Sequence, residues 1–195
     1  MSVTVTPVSN SARRLSARDL ALAAVFAGVT AALGFIPPIY LPFSPVPVTA
    51  QTLGVMLAGA VLGAKLGFVS QLLFQTLVII GLPLLSGGRG GLAVLSGATV
   101  GFFVAFSLSA LLIGWVTTHL NNTYQWWKGV IIHLVFGLLF VDVLGVAGMM
   151  LIAKLTLGKA IIAGVLPYLI GDVLKAVIAA LIAHGVHRAY PGLLK

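Results

Sequence analysis

The stretch VLPYLIGDVLKAVIAALIA, residues 165–183, joins an apolar segment to two charged side chains, Asp172 and Lys175. Its length is close to the ~20 residues that an α-helix needs to cross a bilayer. An ionisable side chain in such a segment costs roughly 2.5–3.5 kcal/mol on membrane-insertion scales, so its presence calls for a partner or a function. These two charges are therefore the first candidates for a functional site.

The composition of the whole chain supports a membrane location. Of its 195 residues, 60% are hydrophobic and only 7% are charged, whereas soluble domains carry about 25% charged residues. This excludes a soluble enzyme, a disordered chain and a nucleic-acid-binding protein, despite the net charge of +8. The absence of cysteine excludes disulfides and thiolate-bound metals. We predict an all-α integral membrane protein.

The apolar runs predict six transmembrane helices in a single domain over residues 20–188. Residues 1–19 are predicted to be a cytoplasmic or interfacial segment, and residues 189–195 a cytoplasmic tail. The predicted spans lie at about 20–36, 49–63, 65–81, 92–117, 129–152 and 167–186.

Two features of the connections restrict how these helices pack. Residues 37–48, PPIYLPFSPVPV, contain five of the nine prolines, which predicts an ordered extended loop. The second and third spans are short, and only a very tight connection from Gly63 to Lys65 separates them. We therefore expect these two helices to be antiparallel neighbours, and they need not both cross the bilayer fully.

The distribution of basic residues predicts the orientation, because cytoplasmic loops carry an excess of Lys and Arg. With both termini inside, seven basic residues lie on the inner side and three on the outer side. A basic segment before the first apolar run also suits a signal peptide, but no clear cleavage site follows it. The inner residues are Arg13, Arg14, Arg18, Lys65, Lys128, Arg188 and Lys195, and the outer ones are Arg89, Lys154 and Lys159.

The spacing of Asp172 and Lys175 puts both on one face of the last helix. One interpretation is an internal ion pair in which the two charges neutralise each other. The other is a polar pocket that opens outward, where the aspartate accepts N–H bonds and the lysine binds an anionic group. Asp142 stands alone in the fifth span, and we favour a structural role for it over ligand contact.

Further ligand candidates lie between the spans. Arg89 is in the segment SGGRGG, residues 86–91, which is either a flexible hairpin or a mobile lid that closes over a bound anion. Thr49 and Gln51 directly follow the proline loop. Polar groups in a bundle usually bond between helices, but the position of Gln51 at the outer end of its span makes it a ligand candidate.

Small residues recur at every fourth position of the first span, at Ala23, Ala27 and Ala31. Such a stripe lets another helix approach closely. It either packs inside the bundle or forms a docking face for another membrane subunit.

The sequence contains none of the common catalytic or nucleotide-binding patterns. There is no GxxxxGK[ST] phosphate loop, no HExxH or other metal-ligand spacing, and no convincing Ser/His/Asp arrangement. We therefore predict a protein that is not an enzyme and that has no resident cofactor or metal.

Three blocks closely resemble the signature segments of the BioY family, the biotin-uptake S components of energy-coupling-factor (ECF) transporters. They lie in the expected order and together are specific. The blocks are PFSPVPVTAQTLGVMLAGAVLG at 42–63, GLPLLSGGRGGLAVLSGATVGFF at 81–103 and VLPYLIGDVLKAVIAALIA at 165–183.

The resemblance implies a six-helix S component in a bacterial or archaeal cytoplasmic membrane. Such a protein captures biotin from outside and works with a membrane T component and two cytosolic ATPases. It also implies that Asp172 and Lys175 are ligand residues and that Ala23 and Ala27 dock the T component. Our hypothesis for the individual contacts is that Asp172 accepts the ureido N–H groups of biotin and that Lys175 or Arg89 pairs with the carboxylate. The substrate-binding residues expected on this basis are Asp172, Lys175, Arg89, Gln51, Thr49, Tyr168 and Phe102.

The chain departs from the family pattern at four positions. The usual GPTGGY-like segment is GATVGF at 97–102, and Ile170 replaces a proline. Because Phe102 stands where the family has a tyrosine, we expect the ring to be kept and one ligand hydrogen bond to be lost. The other replacements are Ala98 and Val100.

Two other classes of function compete with an S component. One is a self-sufficient secondary transporter of biotin or of a small anion, with Asp142 as a proton site, although no clear inverted repeat supports it. The other is an intramembrane enzyme, which the lack of a catalytic constellation disfavours. A homo-oligomer is compatible with any of these classes.

Overall fold

The computed structural model describes residues 15–119 and 124–191, and predictions for the other residues lie outside this range. Within this range the regular elements are all helical, and five helices are long and apolar enough to cross a membrane. The helices are α1 (Ala17–Gly34), α2 (Gln51–Ile79), α3 (Val100–His119), α4 (Trp126–Ile132), α5 (Phe140–Ile152), α6 (Leu157–Gly164) and α7 (Leu169–Ala189), with a 3₁₀ turn at Leu92–Ser96 and a π-helix at His133–Leu139.

The long helix α2 is a hairpin of two arms that meet at Gly63. This glycine has φ 78° and ψ −178°, a conformation essentially confined to glycine. Thr30 Oγ1 contacts both arms, because Gln71 Nε2 donates to it at 3.0 Å and a Cβ on Gly54 would lie 2.7 Å away. In a straight helix those two positions are about 25 Å apart. The expectation of antiparallel second and third spans is confirmed, and with the arms counted separately the described residues form a six-segment bundle.

Helix α1 begins at Ala17, inside the segment predicted to precede the first span. A capping box stabilises this start: the Asp19 amide donates to Ser16 Oγ at 3.2 Å, and the Ser16 amide donates to Asp19 Oδ2 at 2.9 Å. The expected boundary at residue 20 is therefore corrected to Ala17.

The structure also corrects the docking role predicted for Ala23 and Ala27. Both side chains are buried, with exposed fractions of 1% and 2%, and α1 packs against α2. A side chain inside the bundle offers no surface to another subunit. The opposite face of α1 also carries small residues, and there Ala21, Ala24 and Gly28 are exposed.

Three other boundaries differ from the predictions. Residues 92–99 do not start the fourth span, because Gly91 has φ 81° and a 3₁₀ turn follows, so that α3 begins only at Val100. The fifth span starts at Trp126 and continues through α4, the π-helix and α5. The short helix α6 was not predicted.

The proline loop and the glycine-rich segment both lie at one end of the bundle, here called the cavity end. The proline loop is extended there, as predicted, and forms an isolated β-bridge between Ile39 and Val48. The glycine-rich segment forms a second bridge between Leu85 and Arg89. The hairpin turn at Gly63 lies at the opposite end of the bundle.

We predict that Gly63→Ala destabilises the fold by about 1–3 kcal/mol, because a Cβ does not tolerate this backbone conformation. Gly185→Ala is the matched control, since Gly185 lies in α7 and an added Cβ would meet nothing within 4 Å. Thermal unfolding of the protein in detergent measures both. A midpoint for Gly63→Ala equal to that of the control would contradict a special role for this turn.

Candidate ligand-binding site

The cavity end encloses an open cavity of about 720 Å³, counted with its mouth. Both loops contribute to its wall, as do α2, α3, the π-helix, α5, α6 and α7. The apolar part consists mainly of Leu85, Phe102, Phe103, Phe106, Leu138 and Val141.

All seven residues predicted to bind substrate line this one cavity. They come from distant parts of the sequence, so the fold brings them together. They are Thr49, Gln51, Arg89, Phe102, Tyr168, Asp172 and Lys175.

Lys175 and Asp172 form the ion pair that their spacing predicted, with Nζ 2.6 Å from Oδ1. The ammonium also donates to the backbone oxygen of Thr49 at 2.6 Å and to Thr52 Oγ1 at 3.2 Å. An ammonium has three N–H donors, so all of them are in use. Both side chains remain partly accessible, at 16% for Lys175 and 15% for Asp172.

Tyr168 lies between α6 and α7 and ties this region to the proline loop. Its hydroxyl donates to the Val46 oxygen at 2.5 Å and lies 2.6 Å from Ser44 Oγ. Burial raises the pKa of the Tyr168 hydroxyl. The group therefore stays protonated and remains a donor.

Phe102 and Gln51 differ in what they offer a ligand. The Phe102 ring lies against α5, where Gly145 leaves it room, since a Cβ on Gly145 would be 2.2 Å from the ring. Gln51 is only 2% exposed, and its amide nitrogen donates to the oxygens of Thr30 at 3.2 Å and Leu84 at 3.0 Å. Its oxygen accepts from the Ser86 amide at 3.0 Å. Gln51 therefore holds the glycine-rich segment, in the way expected of an interhelical polar group.

The guanidinium of Arg89 has more N–H donors than it uses within the described residues. Its Nε donates to the Ser86 oxygen at 3.2 Å and its Nη1 to Thr99 Oγ1 at 3.4 Å, which are both neutral acceptors. A guanidinium has five N–H donors, so further bonds to an anion are available. Positive φ values of 79° at Gly87 and 70° at Gly88 shape the turn that presents it.

The structure adds three polar residues to the predicted set: Asp142, Thr52 and Thr99. Asp142 was expected to be structural, yet it lies in the cavity wall. The sequence signal was present, because a lone carboxylate in an apolar span is unusual. What the sequence could not provide was the rotation of α5 about its axis, which decides what the residue faces.

Known proteins match both the sequence and this geometry. The model of the BioY family matches residues 7–192. The biotin transporter BioY of Rhizobium etli is 43% identical over 184 residues, which cover 91% of this chain and 97% of that protein. The probable biotin transporter BioY of Bacillus subtilis is 41% identical, over 88% of this chain and 91% of that protein.

A solved structure extends the match to three dimensions. The S component for biotin from an ECF-type ABC transporter superposes with a TM-score of 0.83 and 34% identity, over 88% of this chain and 91% of that one. The shared helical architecture, the near-complete family match and these identities agree with each other. The chain, a multi-pass membrane protein, belongs to the BioY family.

Proposed function

We propose that the chain captures biotin in this cavity and acts as the substrate-binding subunit of an ECF transporter. The observation that carries the proposal is the composition of the wall, which combines polar groups on α7, a guanidinium on the glycine-rich segment and an apolar part. Biotin has the same division, with a ureido ring, an apolar bicycle and a terminal carboxylate. The names of the similar proteins support biotin as the ligand.

The hydrogen bonds within the site support one orientation of the ligand. Lys175 already uses its three donors, and its charge is neutralised by Asp172. Arg89 has free donors and only neutral partners. We therefore assign the carboxylate of biotin to Arg89 and the ureido ring to the Asp172–Lys175 pair. This is our proposal for the choice between Lys175 and Arg89 that the sequence left open.

Replacing Arg89 by Gln should weaken biotin binding at least tenfold, because hydrogen bonds to charged groups contribute about 1.5–3 kcal/mol. Binding of biotinamide, which lacks the negative charge, should change little. Titration calorimetry of the detergent-solubilised chain measures both ligands, and Arg188→Gln at the opposite end of the bundle is the matched control. Equal losses for the two ligands would exclude the assigned carboxylate contact.

Asp172→Asn and Lys175→Ala should each reduce biotin affinity at least tenfold. The first weakens an acceptor for the ureido N–H groups, and the second leaves a carboxylate unpaired inside the bundle. The same titration measures the affinities, and thermal unfolding checks that each variant is folded. Near-unchanged affinity in both folded variants would refute a ligand role for the pair.

The charge distribution supports a cytoplasmic membrane orientation with the cavity end outward. Lys65 follows the hairpin turn at the opposite end, and Lys128 and Arg188 lie near the ends of helices there. Arg89 and Lys159 belong to the cavity end. Because positive residues favour the cytoplasmic side, both termini are assigned to the cytoplasm.

Transport by an S component requires partners, and the sequence has no phosphate-binding loop of its own. We assign docking of the T component to the outward face of α1, where Ala21, Ala24 and Gly28 are exposed. A Cβ on Gly28 would meet nothing within 4 Å, so another helix can approach the backbone closely here. Two cytosolic ATPases complete the proposed assembly.

Ala24→Leu combined with Gly28→Leu should abolish co-purification with the T component and leave biotin affinity unchanged, because the added side chains separate the helices. Gly185→Leu on the exposed face of α7 is the control. Co-expression with the T component and ATPases, followed by affinity purification, measures assembly. Intact co-purification of the double variant would exclude this face, and biotin uptake that persists without the ATPases would favour a stand-alone transporter.

A further inference from the structure

Four charged side chains line the cavity, counted over residues 15–119 and 124–191. Two of them, Asp172 and Lys175, neutralise each other at 2.6 Å. The other two are Arg89, whose described bonds go to neutral oxygens, and Asp142. The charges of the cavity wall therefore balance overall, but two of them lack an ionic partner within the described residues.

Asp142 is 9% exposed and forms no hydrogen bond or ion pair with any other part of the described chain. The neighbouring helices α3 and α6 present only aromatic rings and Gly164 to the cavity beside it, and the π-helix presents Gly137 and Leu138. The titratable groups that face it are on α7 and in the connections: Asp172, Lys175, Tyr168 and Arg89. Of these, only Arg89 has a positive charge that is not already neutralised.

Binding of an anionic ligand changes this balance. If a carboxylate pairs with Arg89, as the proposed function holds, the cavity contains two cations and three anions. The cost of an ionised carboxylate without a partner in a low-dielectric site is high, and such a group usually neutralises instead. Asp142 is the carboxylate that has no partner.

Resting on the proposed function, we propose that Asp142 takes up a proton from solvent when an anionic ligand binds, so that the cavity binds the ligand carboxylate and one proton together. The ligand carboxylate adds a negative charge to the cavity whose wall includes Asp142, and the protonated Asp142 is neutral. Asp142 is thus a proton site that is coupled to the ligand site.

The sign of the pH dependence follows from linkage. Because the bound state holds one more proton than the free state, affinity falls as pH rises, by up to about tenfold per pH unit. Asp142→Asn has nearly the same shape as the protonated aspartic acid and cannot titrate. This variant should bind biotin with little pH dependence and, at high pH, more tightly than the unaltered protein.

The first experiment is a biotin titration of the full chain in detergent between about pH 5.5 and about pH 9, where the biotin carboxylate stays ionised. Biotinamide is the matched neutral ligand, and Asp19→Asn on α1 is the matched removal of a carboxylate far from the cavity. A slope for biotin that disappears in Asp142→Asn and is absent for biotinamide supports the proposal. A flat profile for the unaltered protein, or an equal slope in Asp142→Asn, overturns it.

A second measurement needs no variant. Calorimetry near neutral pH in two buffers with different ionisation enthalpies counts the protons taken up for each biotin bound. Uptake of a substantial fraction of one proton supports the proposal, and no uptake from about pH 6 to about pH 9 overturns it. The two proposals fail differently: absence of biotin binding rejects the proposed function, whereas tight binding without proton uptake rejects only the role of Asp142.

Discussion

The site depends on satisfying one ammonium group inside an apolar bundle. A lysine that leaves water must use its three N–H donors, since each unpaired polar group in hydrocarbon costs several kcal/mol. Lys175 does so by bonding its own helix at Asp172 and the start of α2 at Thr49 and Thr52. These bonds fix α7 against α2 and so create one wall of the cavity. The ion-pair and pocket interpretations are therefore compatible, because the pair closes the structure and still faces the cavity.

The loops that carry ligand candidates are held by similar bonds. Prolines keep residues 37–48 extended, and the carbonyl oxygen of Val46 in this loop accepts from Tyr168. The glycine-rich segment is held by Gln51, which bonds the backbone of Leu84 and Ser86 as well as Thr30 on α1. Interhelical bonds of this kind are the usual polar contacts of membrane bundles. After the turn, the Gly91 amide donates to the Val78 oxygen at 2.8 Å, so Arg89 projects from a segment that is bonded on both sides.

Much of this architecture could be predicted from the sequence. In a membrane protein, the length of an apolar segment and the positions of charged residues are visible along the chain without any knowledge of packing. The hairpin at Gly63, the extended proline loop and the Asp172–Lys175 pair all follow from spacing or residue type. Helix faces could not be predicted in the same way. Helix α1 has small residues all around, so its sequence does not distinguish the buried Ala23 from the exposed Ala24.

The other features that the sequence did not predict also depend on local backbone conformation or on packing. Residues 92–99 are as apolar as a helix, and hydropathy does not register the glycine conformations that interrupt them. Helix α6 has only eight residues, and its buried Ala160 and Ala163 pack with Met149 in a local cluster. Short helices are marginal without such tertiary contacts. The outward or inward direction of Asp142 also depends on packing, which is why the cavity could be assigned only from the structure.

Under the proposed function, the apolar and polar parts of the cavity wall contribute differently to selectivity. The rings of Phe102, Phe103 and Phe106 can bury the apolar part of a ligand, which contributes about 25 cal/mol per Å² but discriminates weakly between shapes of similar size. The polar groups behave in the opposite way, because a ligand that fails to match them leaves desolvated donors or acceptors unpaired, at about 1–3 kcal/mol each. An apolar acid without N–H groups would satisfy Arg89 alone and strip water from the polar groups of α7. The rings therefore add affinity with little discrimination, and discrimination comes from the few charges that the membrane allows.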